Sequence, residues 1–209
     1  MNERAIIELE ELIYQIKKRP LQAANTVADI IGVVIGLKPT TITTFELNEF
    51  SDSSYNQFVE LLKRLGLEAL FFKKSLIESN EVKWVEYVFI SLDQALAVKA
   101  YDAFEELWNT MDDYGQIYAS EKWQDATIKL GKLVGYPDTA VMAFADSNNR
   151  DINSRERVER TRRNRYYAHS TEHEQLEYET YDLKLNQAIA KLAPRTAELY
   201  ANDKTKRWL

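Results

Sequence analysis

The residues best suited to chemistry in this chain of 209 residues are concentrated in one short segment. Seven of its twelve arginines lie between residues 150 and 165, beside three acidic residues. Guanidinium groups bind phosphate oxygens in bidentate fashion, and neighbouring tyrosine rings can stack on unpaired bases. The arginine-rich segment (residues 150–165) is therefore predicted to contact phosphate of RNA or another nucleotide, with the following binding residues: Arg155, Arg160, Arg162, Arg165, Tyr166 and Tyr167.

The same segment also has the pattern of a solvated helix that pairs with itself. Glu156 precedes Arg160 by four residues, and Glu159 precedes Arg163 by four, which is the favourable order for helical ion pairs. Val158 is its one apolar residue between 153 and 165, so such a helix buries little against its own domain. Two interpretations therefore stay open: the arginine-rich helix is covered by water, or it is covered by a partner.

The chain has two histidines, His169 and His173, spaced to face the same side of a helix. With Glu172 they form His-x-x-Glu-His, which resembles the motif of the inverted zincin hydrolases. The resemblance implies Zn²⁺ bound by both imidazoles and water activated by Glu172. The resemblance implies a third, acidic ligand downstream of the motif. Only 36 residues follow His173, so Glu177 or Glu198 would have to be that ligand. We expect no metal or other cofactor, and we keep this zinc site as an alternative.

A second motif overlaps the first. The stretch from Arg163 and Asn164 to His169 resembles the Arg-Asn-(x)n-His motif of the HEPN superfamily (higher eukaryotes and prokaryotes nucleotide-binding), helical proteins of which many are metal-independent ribonucleases. About the last 90 residues could correspond. The resemblance implies that Arg163 stabilises phosphate charge, that Asn164 is the polar residue after it, and that His169 is the acid or base, usually across a dimer. Alternatively, His169 ends the arginine-rich helix or pairs with Glu172 or Glu174.

The overall composition is that of a globular protein. Hydrophobic residues make up 45% of the chain, which is enough for a core and excludes disorder of the whole chain. The absence of cysteine excludes disulfides, thiolate metal sites and a cysteine nucleophile. The formal charge is −6, whereas seven arginines and three acidic residues give the arginine-rich segment +4, so the negative charge belongs to the remaining residues.

The amino-terminal sequence lacks the pattern of a secretion signal, and the longest apolar run, residues 27–37, is too short to span a bilayer. We therefore expect a cytoplasmic protein with no membrane partner.

Hydrophobic periodicity predicts an α+β fold. We expect a small antiparallel sheet with helices on one face, followed by a mainly helical C-terminal half. The strand at 82–92 is apolar on both faces and is predicted to be central and covered on both sides. The remaining predicted elements before residue 115 are helices over 3–18 and 21–36, a strand over 40–47, a helix capped by Ser51 or Asp52, a strand over 68–77 and a helix capped by Asp93.

No strand pattern follows residue 114. Helices are predicted at 120–134, 138–145, 154–167 and 172–200, the last interrupted near Pro194. We therefore divide the chain into an α+β domain with two N-terminal helices, residues 1–115, and a helical domain carrying the arginine-rich segment, residues 116–209.

The turn Gly135-Tyr136-Pro137 allows two interpretations. Residues 128–144 resemble a helix-turn-helix, which makes DNA binding by residues 121–145 an alternative function, although the second helix offers Asp138 and Met142 to the groove. The other interpretation is a tight helix end. The same stretch resembles a Gly-x-Leu-x-Gly-Tyr-Pro signature of an uncharacterised archaeal and bacterial family, which implies a prokaryotic source.

The sequence thus predicts a phosphate-contacting protein, and in its sharpest form a metal-independent ribonuclease using Arg163, Asn164 and His169. The rival class is a non-catalytic interaction module, whose charged segment docks on another protein or on a second copy of the chain as a homodimer.

Overall fold

The computed structural model describes residues 2–46, 49–78, 81–110, 120–146, 170 and 172–202, with the backbone alone at 76–78 and 81–83. In chain order the described elements are α1 (Glu3–Ile16), α2 (Pro20–Val34), β1 (Thr40–Glu46), α3 (Asp52–Arg64), β2 (Glu68–Glu78), β3 (Glu81–Ser91), α4 (Gln94–Trp108), α5 (Glu121–Leu133), α6 (Asp138–Ala145), α7 (Glu174–Glu177), a π-helical turn (Tyr178–Asp182), α8 (Leu183–Leu192) and α9 (Pro194–Asn202).

Short polar side chains set the starts of the helices, as their positions in the sequence predict. Ser51 accepts a hydrogen bond from the Ser54 N–H at the start of α3. Asp93 accepts from the Ala95 N–H before α4, and Ser120 caps α5 in the same way. Each cap satisfies a backbone donor that the first helical turn leaves without a partner.

The three strands form one antiparallel sheet in the order β1-β3-β2. Ser91 of β3 lies opposite Thr40 of β1 and Glu68 of β2. The strand predicted to be central is therefore the middle strand. Its alternating side chains point to opposite faces of the sheet, so each face presents an apolar row.

Helices cover both faces of this sheet. Val88 and Ile90 belong to the main hydrophobic core with α1, α2 and α3, whereas Tyr87 and Phe89 pack against α4 on the opposite face. The α+β class and the helical C-terminal half are confirmed. Helices lie on two faces rather than the one expected, because β3 is apolar on both sides and each side must be buried.

The C-terminal helices share the main core with the N-terminal ones. Leu185 and Ile189 of α8 are fully buried among residues of α1 and α2. Glu10 of α1 accepts a hydrogen bond of 2.7 Å from the Thr196 N–H, and Tyr200 donates to the Asn25 side chain. The division into residues 1–115 and 116–209 stays a prediction.

The last predicted helix is divided where the sequence indicates. Ala193 leaves the helical conformation and Pro194 begins α9, because proline lacks the N–H that a continuous helix needs. Among the helices described, none combines the length and apolar character required to cross a bilayer.

Candidate functional site

Most of the predicted site lies outside the described residues. This applies to the whole predicted binding and catalytic set: Arg155, Arg160, Arg162, Arg163, Asn164, Arg165, Tyr166, Tyr167 and His169. The described part of the chain does include Glu172 and His173, together with the residues that flank 147–169.

Both flanks of that stretch lie at one cavity. Asp146, directly after α6, and Ser170, shortly before α7, line the same space of about 760 Å³. We call it the acidic cavity; α5, α6 and residues 170–173 supply its described wall, whose polar side chains include Asp125, Asp138, Asp146, Ser170, Glu172 and His173. The residues on both sides of 147–169 therefore line one cavity with His173.

A buried carboxylate, that of Glu177, holds the backbone of Ser170 in place. Glu177 of α7 is only 1% exposed and accepts two hydrogen bonds. One comes from the Thr139 hydroxyl of α6 at 2.5 Å, and the other from the Ser170 N–H at 3.1 Å. A buried carboxylate is costly unless such donors compensate it, so Glu177 ties Ser170 to α6.

His173 also contacts Ser170. Its Nδ1 lies 3.3 Å from the Ser170 hydroxyl oxygen, and either group can be the donor, depending on the tautomer. This contact orients the imidazole at the wall of the acidic cavity.

The described residues do not by themselves form a metal site. Within 2–46, 49–78, 81–110, 120–146, 170 and 172–202, no three histidine, aspartate or glutamate side chains are grouped so that they could hold an ion. His169, which the zinc alternative requires, lies outside these ranges.

The described wall of the acidic cavity is unfavourable for phosphate. Four carboxylates line it, and Arg and Lys are absent from its described lining. Lys132 lies 3.9 Å from Asp138 and offsets one of these charges. Like charges repel phosphate, so this described wall does not itself favour phosphate binding.

The helical pair predicted around Gly135 is present as α5 and α6, but α6 carries no basic residue. Asp138 at its start and Asp146 directly after it are exposed and would face the DNA backbone with negative charge.

The turn between these helices packs against a buried ion pair that the sequence analysis missed. Gly135 has φ of 76°, and a Cβ there would lie 2.6 Å from Pro39 Cδ. Beside it, Lys38 is 1% exposed and its ammonium donates to Asp29. The Lys38 Nζ also lies 5.2 Å from the centroid of the Tyr136 ring.

Electrostatic contacts keep this lysine charged. Burial acts to lower the pKa of Lys38, but the Asp29 carboxylate, together with Tyr136 and Tyr181, raises it above the ordinary lysine value. Burial also raises the pKa of Tyr181, which belongs to the π-helical turn. The Lys38 cluster (Asp29, Lys38, Tyr136 and Tyr181) thus joins α2, the Gly135 turn and the C-terminal helices. Its sequence signal is a lysine at the end of the apolar run over residues 27–37, which by itself does not distinguish a buried lysine from an exposed one.

Comparison with protein-family models, with curated proteins and with solved structures finds no match.

Proposed function

We propose that the chain contacts the phosphates of RNA or another nucleotide through its arginine-rich segment, and cleaves RNA without a metal by means of Arg163 and His169. The observation that carries the proposal is the concentration of seven of twelve arginines in residues 150–165 of a chain whose net charge is −6. Arginine provides the bidentate geometry that phosphate recognition uses.

The assigned chemistry is consistent with these residue types. An imidazole titrates near neutral pH and can exchange a proton with the ribose 2′-hydroxyl or the leaving oxygen. A guanidinium stabilises the negative charge that develops on phosphate.

The deciding experiment is incubation with single-stranded RNA in EDTA. We expect the wild-type protein to cleave, His169→Ala to bind RNA without cleaving it, and Arg163→Ala to lose both cleavage and part of the affinity. His173→Ala is the matched histidine control and Arg4→Ala the matched arginine control, since Arg4 pairs only locally with Glu8 on the exposed side of α1. Both controls should cleave like the wild type.

Binding without cleavage by the wild type would leave the phosphate contact and refute the ribonuclease. No RNA binding at low salt would refute both and favour the interaction module, because phosphate contacts strengthen as salt falls.

A further inference from the structure

The buried carboxylate of Glu86 in β3 lacks the hydrogen-bond donors that Glu10 and Glu177 have. Its side chain is 8% exposed and lies on the face of the sheet that carries Val88. Glu10 accepts from two backbone N–H groups of α9, and Glu177 accepts from one hydroxyl and one N–H. Among the described residues none donates a hydrogen bond to Glu86, and its ion-pair partner there is Lys73 at 4.0 Å. Burial of a charge with so little compensation is unfavourable.

Two polar side chains face Glu86 from β2 and α3. Lys73 of β2 lies directly opposite Glu86 in the register, but it is 60% exposed, so solvent screens much of its charge. Tyr55 of α3 presents a neutral phenol, since burial and then the Glu86 charge raise the pKa of this tyrosine. Neither group replaces the hydration that the carboxylate loses.

The β1 side adds little net charge. Phe45 lies opposite Glu86 in the register, and the Lys17 Nζ lies 4.2 Å from the centroid of its ring. Lys17 pairs with Glu49 at 3.9 Å, so these two charges offset each other. Burial therefore dominates and raises the pKa of Glu86 above the ordinary glutamate value of 4.5, although Lys73 acts to lower it.

Glu86 lies at the base of a two-stranded extension of the sheet. Within the described residues β1 ends opposite Val85, whereas β2 and β3 stay paired as far as Glu78 and Glu81. We call the paired residues 75–78 and 81–84 the β2–β3 arm. Two strands without a third partner are only marginally stable. Local opening of the arm, which would hydrate Glu86, therefore competes with its packing on the sheet.

We propose that Glu86 is an acid-sensitive latch, which holds the β2–β3 arm on the sheet when its carboxyl group is protonated and lets the arm open locally when it is charged. Protonation removes the cost of a buried charge, so opening becomes rarer as the pH falls. Because the native pKa is raised, the stabilisation is complete below the ordinary glutamate pKa and is lost as the pH rises through the native one. The latch does not depend on the arginine-rich segment or on the proposed ribonuclease activity.

The test is amide hydrogen exchange of the full chain, compared between wild type and Glu86→Gln at each pH between about 4 and 8. Glutamine keeps the side-chain shape and stays neutral, and a comparison at one pH cancels the intrinsic exchange rate. We expect the amides of the arm to exchange roughly threefold faster in the wild type at neutral pH, with the ratio approaching one towards about pH 4. Glu68→Gln, at an exposed position of β2, should exchange like the wild type at every pH.

A second variant tests the charge that faces Glu86. Lys73→Gln removes this cation and should move the midpoint of the pH dependence upward, whereas Lys99→Gln, at an exposed position of α4, should leave it unchanged. The chemical shift of the Glu86 carboxyl carbon reports the same titration in the wild type without any substitution. An exchange ratio that does not change with pH, or a Glu86 midpoint at or below the ordinary glutamate value, would overturn the proposal.

Discussion

Lys38 keeps its positive charge with only 1% of its surface exposed, and the Asp29 carboxylate makes this tolerable. Removing one partner of a buried ion pair leaves the other charge uncompensated. We expect Asp29→Asn to lower the free energy of unfolding by about 2 kcal/mol at neutral pH, since Asp29 itself remains 25% exposed. Denaturant unfolding measures this change, and Asp102→Asn on the exposed side of α4 is the matched control.

The effect of Asp29→Asn on the unfolding free energy should change with pH. In the wild type the pKa of Lys38 is raised, so its stabilising contribution is complete below the ordinary lysine pKa and is lost as the pH rises beyond it. In Asp29→Asn the Asp29 charge is gone, so burial lowers the pKa of Lys38 in the native state. The native state then loses this proton at a lower pH than the unfolded state does. The variant should therefore gain stability between neutral pH and about pH 10 relative to wild type. A constant difference across this range would contradict the assignment.

The buried carboxylate of Glu177 should also contribute to stability. Glu177→Gln leaves one acceptor oxygen for two donors, the Thr139 hydroxyl and the Ser170 N–H. We expect a loss of about 1–2 kcal/mol in unfolding free energy, and faster amide exchange at Ser170. Glu179→Gln is the control, because Glu179 is exposed and, among the described residues, accepts a hydrogen bond from Gln175 alone. Equal effects of the two substitutions would show that Glu177 does not hold Ser170.

At the scale of the elements, the Gly135 turn sets how α5 and α6 approach β1. Gly135→Ala imposes a left-handed conformation on alanine and places its Cβ 2.9 Å from the Lys38 Cα, an atom of the backbone. Gly36→Ala imposes the same kind of conformation, with φ of 71°, but meets no atom within 4 Å. We therefore expect a loss of about 1–2 kcal/mol for Gly36→Ala and a clearly larger one for Gly135→Ala.

Thermal and denaturant unfolding of both variants measures the difference, which isolates the steric part of the Gly135 effect. Equal losses would mean that the turn can move away from Lys38 and Pro39 without cost.

The starts of helices are among the features that the sequence predicts best. Ser51, Asp93 and Ser120 cap their helices through contacts with residues two or three positions away, so their sequence positions are sufficient to predict them. Burial of Glu177 depends on Thr139, 38 positions earlier, so no local pattern could predict it. The π-helical turn was also unpredictable, because no local pattern of the sequence marks where a helix takes up the extra residue of an i→i+5 turn.

At the scale of the whole molecule, the first and last described helices are joined through contacts that no local pattern shows. Glu10 of α1 accepts from the Thr196 N–H at the start of α9, 186 positions along the chain. The Arg195 guanidinium lies 4.0 Å from the centroid of the Tyr14 ring. Glu10 of α1 therefore caps the N-terminus of α9, and Arg195 of α9 packs on Tyr14 of α1.

This shared core leads to a prediction about the fragment 1–115. Without α8 and α9, the buried residues of α1 and α2 lose part of their cover, so we expect the fragment to have helical content but no cooperative unfolding transition. The full chain should unfold in one transition, with far-ultraviolet circular dichroism and tryptophan fluorescence coinciding. Well-dispersed amide resonances and a sharp transition for the fragment would instead establish 1–115 as an independent domain, because such behaviour requires a core that is complete without the C-terminal helices.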